Sequence, residues 1–382
     1  MRTDGAHRAR RGDGSRRRAG LSAAVLLLVA AASVRAADQD KTGSTNALAG
    51  LAPVWSLAGG WTAVAADPTA AVAYAVSSDR ALVAVDASGR KRADRPLGQG
   101  ARILRAATLD PDGGSSLLGF TRWGPSLIAW DTGGNVRWTW SNGQGINDVR
   151  AFDLDDDGAD EIIVGCTGGE AVTVLDHTGA VRWTGGELRN VWHVSACDLD
   201  GNDSLAVVCT SGLGEVHIYD ADGVRLRDLN PACYANLVRA MTSGLAEHKA
   251  LLLTAGSVEE REELLALDSR GEQQWSVRLA SNGPGRIDSA EAANTRPWLA
   301  VGMRDGLVVI VDTRRGEIVA QASGQGRFPQ VAWIAADRDA APLLLVASGS
   351  ALNAFRVTAA DGEGMLQAAR SGPRDGGAVE RR

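Results

Sequence analysis

Short apolar runs, each followed by an aspartate and then a glycine, recur along the chain at a nearly constant interval. The six copies are LVAVDASG, LIAWDTGG, VTVLDHTG, VHIYDADG, LLALDSRG and VVIVDTRRG, and their aspartates are 45, 45, 44, 48 and 44 residues apart. β-Branched and aromatic residues that enter an Asp–Gly turn are typical of a β-hairpin. A fixed period of this size predicts a repeat protein. The aspartates are Asp86, Asp131, Asp176, Asp220, Asp268 and Asp312.

Each period predicts four short strands. In the third repeat we expect strands over 149–153, 161–166, 170–176 and 180–183, separated by turns rich in Gly and Asp. Alternation with no stretch of helical periodicity indicates an all-β fold. Four strands in about 44 residues match one blade of a β-propeller.

The two ends of the repeat region predict how the ring closes. Residues 327–357 supply three strands, and the segment APVWSL at 52–57 is similar to the fourth strand of another repeat, QWSVRL. We therefore predict a seven-bladed β-propeller of four-stranded blades over 51–360. In its last blade the N-terminal strand pairs with 351–357, which covers an edge that an open ring would expose.

The repeat, an apolar run with Asp-x-x-Gly and then tryptophan, resembles that of the PQQ-like propellers. This is the quinoprotein dehydrogenase superfamily, which also includes non-enzymatic assembly lipoproteins; the resemblance covers about residues 52–358. It implies that Trp138, Trp183 and Trp275, each seven residues after a repeat aspartate, dock blades together. The family's dehydrogenases carry vicinal cysteines over the cofactor. This chain has no adjacent cysteine pair, which argues against bound PQQ.

The N-terminal residues have the order of a secretory signal peptide. Three arginines at 16–18 precede an apolar run over 21–34, and the segment VRA at 34–36 resembles a cleavage site. About 14 apolar residues are short for a membrane span, which needs roughly 20, so an uncleaved anchor is the alternative. We predict a signal peptide over 1–36, a linker over 37–50 and a disordered tail over 361–382. The protein is then exported, to the periplasm or the extracellular space.

The mature chain is acidic. Removing eight arginines and two aspartates with residues 1–36 changes 40 basic and 46 acidic residues to 32 and 44, a net charge of −12. This balance argues against nucleic acid as a partner, and against a membrane beyond the possible N-terminal anchor. We expect a monomer.

One acidic turn, DLDDDGADE at 153–161, has the spacing of a calcium loop. Calcium takes six to eight oxygen ligands, and alternating carboxylates in a tight turn converge on one point. The turn resembles the FG-GAP loops of integrin-type propellers, and related turns at 198–204 and 110–114 are shorter. We predict one structural Ca²⁺ site. Its ligands are Asp153, Asp155, Asp157, Glu161 and the carbonyl of Ala159.

A ligand site is expected where the first strands begin, because pockets of such rings lie there. Repeat alignment places residues of mixed charge and two aromatics at this rim, which suits a carbohydrate or a peptide. The predicted rim residues are Arg102, Asp148, Trp192, His193, Tyr234, Asn236, Arg286, Asp288 and Gln330.

No nucleophile elbow, zinc motif or phosphate loop is present in the sequence. The four cysteines, Cys166, Cys197, Cys209 and Cys233, include no CxxC pair, which argues against zinc, and they allow three disulfide pairings. The sequence therefore favours a non-catalytic exported binding or scaffold module for protein or carbohydrate. The alternative is a carbohydrate-active enzyme or a degenerate quinoprotein dehydrogenase. Asp148, Asp288 and Arg286 are its only candidate catalytic set.

Overall fold

The regular elements of the described residues are β-strands, as the alternating pattern predicts. Among the residues described, no helix is long and apolar enough to span a membrane. The predicted signal peptide, the predicted tail and all but the end of the predicted linker lie outside the described residues. The computed structural model describes residues 49–67, 71–169, 171–186, 188–229, 237–242, 250–258, 261–279, 287–293, 296–335 and 341–358.

The described strands form five four-stranded sheets and one eight-stranded sheet. We describe them as units of four consecutive strands, of which the first six each contain one copy of the sequence repeat. Unit 1 contains β2 (Trp61–Asp67), β3 (Val72–Ser77), β4 (Ala81–Asp86) and β5 (Lys91–Pro96). Unit 2 contains β6 (Ile103–Thr108), β7 (Ser115–Phe120), β8 (Leu127–Asp131) and β9 (Val136–Trp140). Unit 3 contains β10 (Ile146–Phe152), β11 (Glu161–Cys166), β12 (Val172–Leu175) and β13 (Val181–Gly185). The strands of this third repeat match the prediction within three residues at every end.

The next units follow the same order. Unit 4 contains β14 (Val191–Cys197), β15 (Ala206–Ser211), β16 (Val216–Tyr219) and β17 (Arg225–Leu229). Unit 5 contains β18 (Leu237–Thr242), β19 (Ala250–Val258), β20 (Arg261–Leu267) and β21 (Gln273–Arg278). Unit 6 contains β22 (Ile287–Ala292), β23 (Trp298–Met303), β24 (Val308–Asp312) and β25 (Glu317–Ala322).

The last unit combines both ends of the repeat region. It contains β26 (Gln330–Ile334), β27 (Leu343–Ala347), β28 (Ala351–Thr358) and β1 (Ala49–Ala58). Strand β1 pairs antiparallel with β28, as predicted. Two parallel residue pairs between β1 and β25 join unit 6 to this last unit, unit 7, in one eight-stranded sheet.

The first strands of the units contact one another in a closed cycle. Each of β2, β6, β10, β14, β18 and β22 contacts the first strand of the next unit, and β26 contacts β2. Seven clusters of buried apolar side chains lie between neighbouring units in the described part of the chain. The apolar core is therefore divided among the contacts between units.

The repeat aspartates cap the turn between the third and fourth strands. Asp176 Oδ1, for example, accepts hydrogen bonds from the backbone N–H groups of Thr178 (2.8 Å) and Ala180 (3.0 Å). Gly179 adopts a φ of 87°, a left-handed conformation that favours glycine. The Asp-x-x-Gly pattern is thus a turn signal.

Tryptophans of the fourth strands dock on these turns in the next unit. Trp183 Nε1 donates to the Ala221 carbonyl oxygen at 2.8 Å, and its ring lies against Gly223, where a Cβ atom would approach it to 2.6 Å. Trp138 and Trp275 make the corresponding contacts, as does Trp55 of β1. The structural role implied for the three repeat tryptophans agrees with these contacts.

Candidate functional site

Charged side chains interrupt the small and apolar residues of the first strands. Three arginines, in β6, β10 and β18, occupy equivalent register positions, each opposite a large aliphatic residue of the second strand. Because the first strands contact one another, these side chains meet acids from other units. The first-strand cluster, as we call it, consists of Arg105, Asp148, Arg150, His193, Arg239 and Glu291.

Asp148 is the centre of one half of this cluster. Its Oδ2 atom lies 3.1 Å from His193 Nδ1 and accepts a hydrogen bond from Arg239 Nη1 at 3.2 Å. The Arg105 Nη2 atom is 3.7 Å from Asp148 Oδ1, which is an ion pair but is too long for a hydrogen bond. Asp148 is 2 % exposed, so its charge depends on these partners.

Glu291 is the centre of the other half of the first-strand cluster. Arg150 donates to both of its carboxylate oxygens, at 2.8 and 2.9 Å, in a bidentate pair. The adjacent Ala290 carbonyl accepts a hydrogen bond from Arg239 Nε at 3.0 Å. Arg105 Nη1 again stays at ion-pair distance, 3.6 Å from Glu291 Oε1. Arg105 therefore makes no hydrogen bond to either buried carboxylate.

A second polar group lies where the first strands begin. The strand β22 has a β-bulge between Ile287 and Ser289, and bulges re-aim side chains. The bulged residue, Asp288, accepts a hydrogen bond from Gln330 Nε2 at 2.7 Å and pairs with Arg122 at 3.4 Å.

Two exposed aromatic side chains flank these polar residues. Trp123 is 72 % exposed and follows Arg122, while Phe328 is 47 % exposed and precedes Gln330 by two positions. Their φ angles are 65° and 58°, which bulky residues rarely adopt. Such strain concentrates at functional positions. We define the rim as Arg122, Trp123, Asp288, Phe328 and Gln330.

The buried acids of the cluster are ionised. Burial by itself would raise the pKa of Asp148, but the charge of Arg239 and the hydrogen bond with His193 hold it well below its usual range. Burial opposes ionisation of Glu291 as well, and the charges of Arg150 and Arg105 still lower its pKa. Neither carboxyl is suited to donate a proton at neutral pH.

For the basic groups of the cluster, burial lowers the pKa. Burial, and then the charge of Arg150, lowers the pKa of Arg239 to about 9, and the same two causes lower the pKa of Arg105. Burial lowers the pKa of His193 to about 4, although Asp148 opposes the shift. Burial therefore disfavours the charged forms of Arg105, Arg239 and His193.

The depressed pKa of His193 predicts a pH dependence of stability. The groups acting on His193 are Asp148, Arg239 and Arg122. Since the unfolded chain binds this proton first, the free energy of unfolding should fall as the pH drops from 6.5 to about 4. The difference in the pKa of His193 between the unfolded and folded chain corresponds to about 3 kcal/mol in the free energy of unfolding. This stability is fully present above pH 6.5.

Urea denaturation at several pH values tests this expectation. His193→Gln keeps a hydrogen-bond donor toward Asp148 but has no proton to gain, so the slope in this window should flatten. The control His177→Gln, in the turn after β12, should keep the wild-type slope. An unchanged slope in His193→Gln would contradict the assignment.

Four of the ligand-site residues that the sequence predicted make two contacts in the structure: Asp148 with His193, and Asp288 with Gln330. Trp192 is a half-buried residue at the bulge of β14. Arg102 is exposed and lines a separate depression of about 340 Å³ with Arg80 and Gln99. Outside the described residues lie Tyr234, Asn236 and Arg286.

Sequence reasoning missed the residues with the strongest electrostatics. Arg105 and Arg150 are 45 residues apart, one full period, and both interrupt apolar first strands. An arginine that recurs after one period in an apolar strand could have indicated this cluster. Glu291 and the exposed Trp123 lack a matching partner in the other repeats, so the repeat pattern did not indicate them.

The acidic turn of unit 3 gathers three of its five predicted ligands. Carboxylate oxygens of Asp153, Asp155 and Glu161 lie within 4.8 Å of one another. Asp157 instead accepts a hydrogen bond from the Ala159 N–H at 2.8 Å. Glu161 is 1 % exposed, and burial raises its pKa. A cation would relieve that cost.

Arg182 of β13 already supplies a positive charge to this turn. Its Nη1 atom lies 2.7 Å from Asp155 and 3.1 Å from Glu161. The same contact, between residues 27 positions apart, recurs in units 2 and 4. The pairs there are Arg137 with Asp110 at 2.6 Å and Arg227 with Asp200 at 3.0 Å.

Three cysteines are buried free thiols in the structure: Cys166, Cys197 and Cys209. Burial raises the pKa of Cys166 to about 11 and that of Cys197 to about 12, so neither is a reactive thiolate at neutral pH. Cys233 lies outside the described residues.

No family model matches the chain, and no curated protein matches it.

Proposed function

We propose that the chain is a seven-bladed β-propeller of the PQQ-like type. The closed cycle of first-strand contacts supports this count, because seven units participate in it. The tryptophan contacts between units support it further. Under this proposal the eight-stranded sheet is two blades, joined by the short parallel contact of β1 with β25.

The function proposed is that of a non-catalytic binding module for a protein or carbohydrate ligand. One observation carries it: two exposed aromatic residues, Trp123 and Phe328, lie within two positions of Arg122 and Gln330 in the chain, and these two polar residues both contact Asp288. Aromatic faces supply contact area, and the polar groups between them supply orientation. The first strands of a propeller line its central channel, and we place the rim and the first-strand cluster there.

A glycan array and a pull-down from the exported fraction test this function. Trp123→Ala and Phe328→Ala should each abolish the capture seen with the wild-type protein. Val181→Ala is the control, because Val181 is 53 % exposed on the outer strand β13. Capture that survives both aromatic substitutions would exclude the rim as the binding surface.

We further propose one structural calcium ion in the FG-GAP-like turn of unit 3, held by Asp153, Asp155 and Glu161. The predicted ligands Asp157 and Ala159 would complete the shell after a local change, since Asp157 now bonds the Ala159 N–H. Calcium would displace Arg182 from its two carboxylates.

Chelator should therefore lower the melting temperature, and added calcium should restore it. Binding to the native state alone stabilises it by about 2.7 kcal/mol at a hundredfold excess over Kd. Asp155→Ala should remove most of this response, which differential scanning calorimetry measures.

Two further variants distinguish calcium binding from the ion pairs that Arg182 makes in this turn. Asp200→Ala, in the shorter turn of unit 4, should leave the calcium response intact. Arg182→Gln removes the competing charge and should increase the apparent calcium affinity. Identical melting curves with and without millimolar calcium, in the wild type and in Arg182→Gln alike, would leave Arg182 as the cation of this turn.

Export is proposed on the N-terminal pattern alone. The mature protein should begin after Ala36. Mass spectrometry of the protein from its source would contradict this proposal if the chain began at Met1.

A further inference from the structure

A depression of about 340 Å³ lies between units 1 and 2. Its walls include the turn between β3 and β4, the loop that joins the two units, and Thr121 after β7. It shares no residue with the first-strand cluster or with the rim. Its volume is within the range of roughly 300–1,000 Å³ that small-molecule sites occupy. The depression is therefore a second candidate binding site.

Two arginines line this depression, and no acid does. In the described part of the chain, the guanidinium groups of Arg80 and Arg102 form no ion pair and donate no hydrogen bond. Like charges that share one depression repel each other, and a bound anion would offset this repulsion. The pair of arginines therefore favours an anionic ligand.

Arg80 occupies a backbone position that is glycine in other units. Its N–H donates to the Ser77 carbonyl oxygen at 3.0 Å, and Gly214 and Gly306 make the same turn hydrogen bond in units 4 and 6. The φ of Arg80 is 68°, compared with 84° and 93° for these glycines. A side chain strains this left-handed conformation, and such strain concentrates at functional positions. Unit 1 thus holds a guanidinium where the turn alone would favour glycine.

The loop that joins the two units adds neutral hydrogen-bond donors. Its sequence is GQG at 98–100, and its three backbone N–H groups donate to no described residue. The Arg80 side chain lies over Gly100, where a Cβ atom would come within 3.2 Å of Arg80 Cγ. The hydroxyl groups of Ser78 and Thr121 also donate to no described residue. Successive backbone N–H groups in turns form anion-binding concavities, so these donors complement the two arginines.

Asp79 is the acid next to Arg80 in the chain, and it does not line the depression. A hydrogen bond with the Ser77 side chain is the main cause that lowers the pKa of Asp79, and its own backbone N–H and Lys91 contribute. The Asp79 carboxylate thus has partners of its own. Arg80 and Arg102 therefore keep their donors for a ligand.

We propose that this depression binds a tetrahedral oxyanion, the phosphate or sulfate group of a small ligand, held by Arg80 and Arg102. The guanidinium fork matches two oxygens of such a group, and two arginines match a double negative charge. The neutral donors come from separate segments, at 78, 98–100 and 121, which suits oxygens that point in several directions better than a planar carboxylate. Phosphate esters and sulfate esters both supply this group. This site is independent of the rim.

A titration followed by nuclear magnetic resonance tests this site with inorganic phosphate, inorganic sulfate and acetate. The full isotopically labelled chain is titrated at pH 7 and constant ionic strength, and the backbone amide shifts at 98–100 report binding. We expect phosphate or sulfate to reach half-saturation at a concentration at least tenfold lower than acetate. The tighter of the two anions identifies the ester. No saturable shift at 98–100 with either tetrahedral anion, or equal binding of acetate, would overturn the proposal.

Arg80→Gly provides the decisive variant. It removes one guanidinium and installs the glycine that units 4 and 6 have, so it should weaken anion binding at least tenfold without lowering the melting temperature. A purely structural Arg80 would show a lower melting temperature and unchanged binding. Arg102→Gln should weaken anion binding by a similar factor. Arg95→Gln removes the same charge from the exposed outer strand β5 and should change neither quantity.

The variants also separate this site from the rim. Phe328→Ala, which should abolish capture at the rim, should leave anion binding unchanged, and a loss there would place the anion at the rim instead. If Arg95→Gln weakens anion binding as much as Arg102→Gln, the attraction is to overall charge and the site is wrong. If Arg80→Gly and Arg102→Gln both bind the anion like the wild-type protein, the site is also wrong.

Discussion

Replacement of Asp148 by asparagine should lower the free energy of unfolding by about 3–5 kcal/mol, the cost of removing one partner from a buried ion pair. The Asp148 carboxylate contacts His193, Arg239 and Arg105 within 3.7 Å and is 2 % exposed. Without it, the arginines keep Glu291 as their only buried acid in the described part of the cluster. Urea denaturation measures the loss.

A second substitution tests whether excess charge is the cause. Adding Arg105→Gln to Asp148→Asn should recover part of the lost stability, since one unpaired cation is removed. The matched surface change is Asp110→Asn, which breaks the exposed pair with Arg137 and should cost less than about 1 kcal/mol. If Asp148→Asn lowered the free energy of unfolding by as little as that, the cluster would tolerate the unpaired positive charge, which contradicts this prediction.

Trp183→Ala should cost about 3 kcal/mol, near the lower end for loss of a large aromatic side chain because Trp183 is half-buried. The substitution removes the contact with Gly223, the hydrogen bond to Ala221 and the packing on Tyr219, whose ring centroid is 5.7 Å away. Thermal and urea unfolding should both report the loss.

Glycine substitutions test the contact between the Trp183 ring and Gly223. At Gly223 a Cβ would lie 2.6 Å from the Trp183 ring, whereas at Gly134, with the same φ of 84°, the nearest atom is 3.5 Å away. Gly134→Ala should therefore cost only the backbone strain, and Gly223→Ala clearly more. In the Trp183→Ala background the two should become equal. Equal costs in the wild-type background would refute the docking contact.

The sequence predicted the repeat and its turns well because those features are local. An aspartate that caps a turn and a glycine with positive φ act within four residues, so each repeat contains its own signal. The pairing of β1 with β28 was also predictable, since 52–57 is similar to a fourth strand and 327–357 lacks one. The start of β10 was the main error, because its first residue, Ile146, pairs with β11 before a bulge that lies between Ile146 and Asp148.

The sequence alone thus determined the strand alternation, the Asp-x-x-Gly turns and the composition of the acidic turn. The tertiary structure decided which charges meet. Arg239 and Asp148 are 91 residues apart, and Arg150 and Glu291 are 141 apart. It also placed Arg182 against the acids of the turn, 27 residues from Asp155. The physical reason is that ion pairing depends on distance in space, which the closed cycle of first strands sets and the local pattern does not contain.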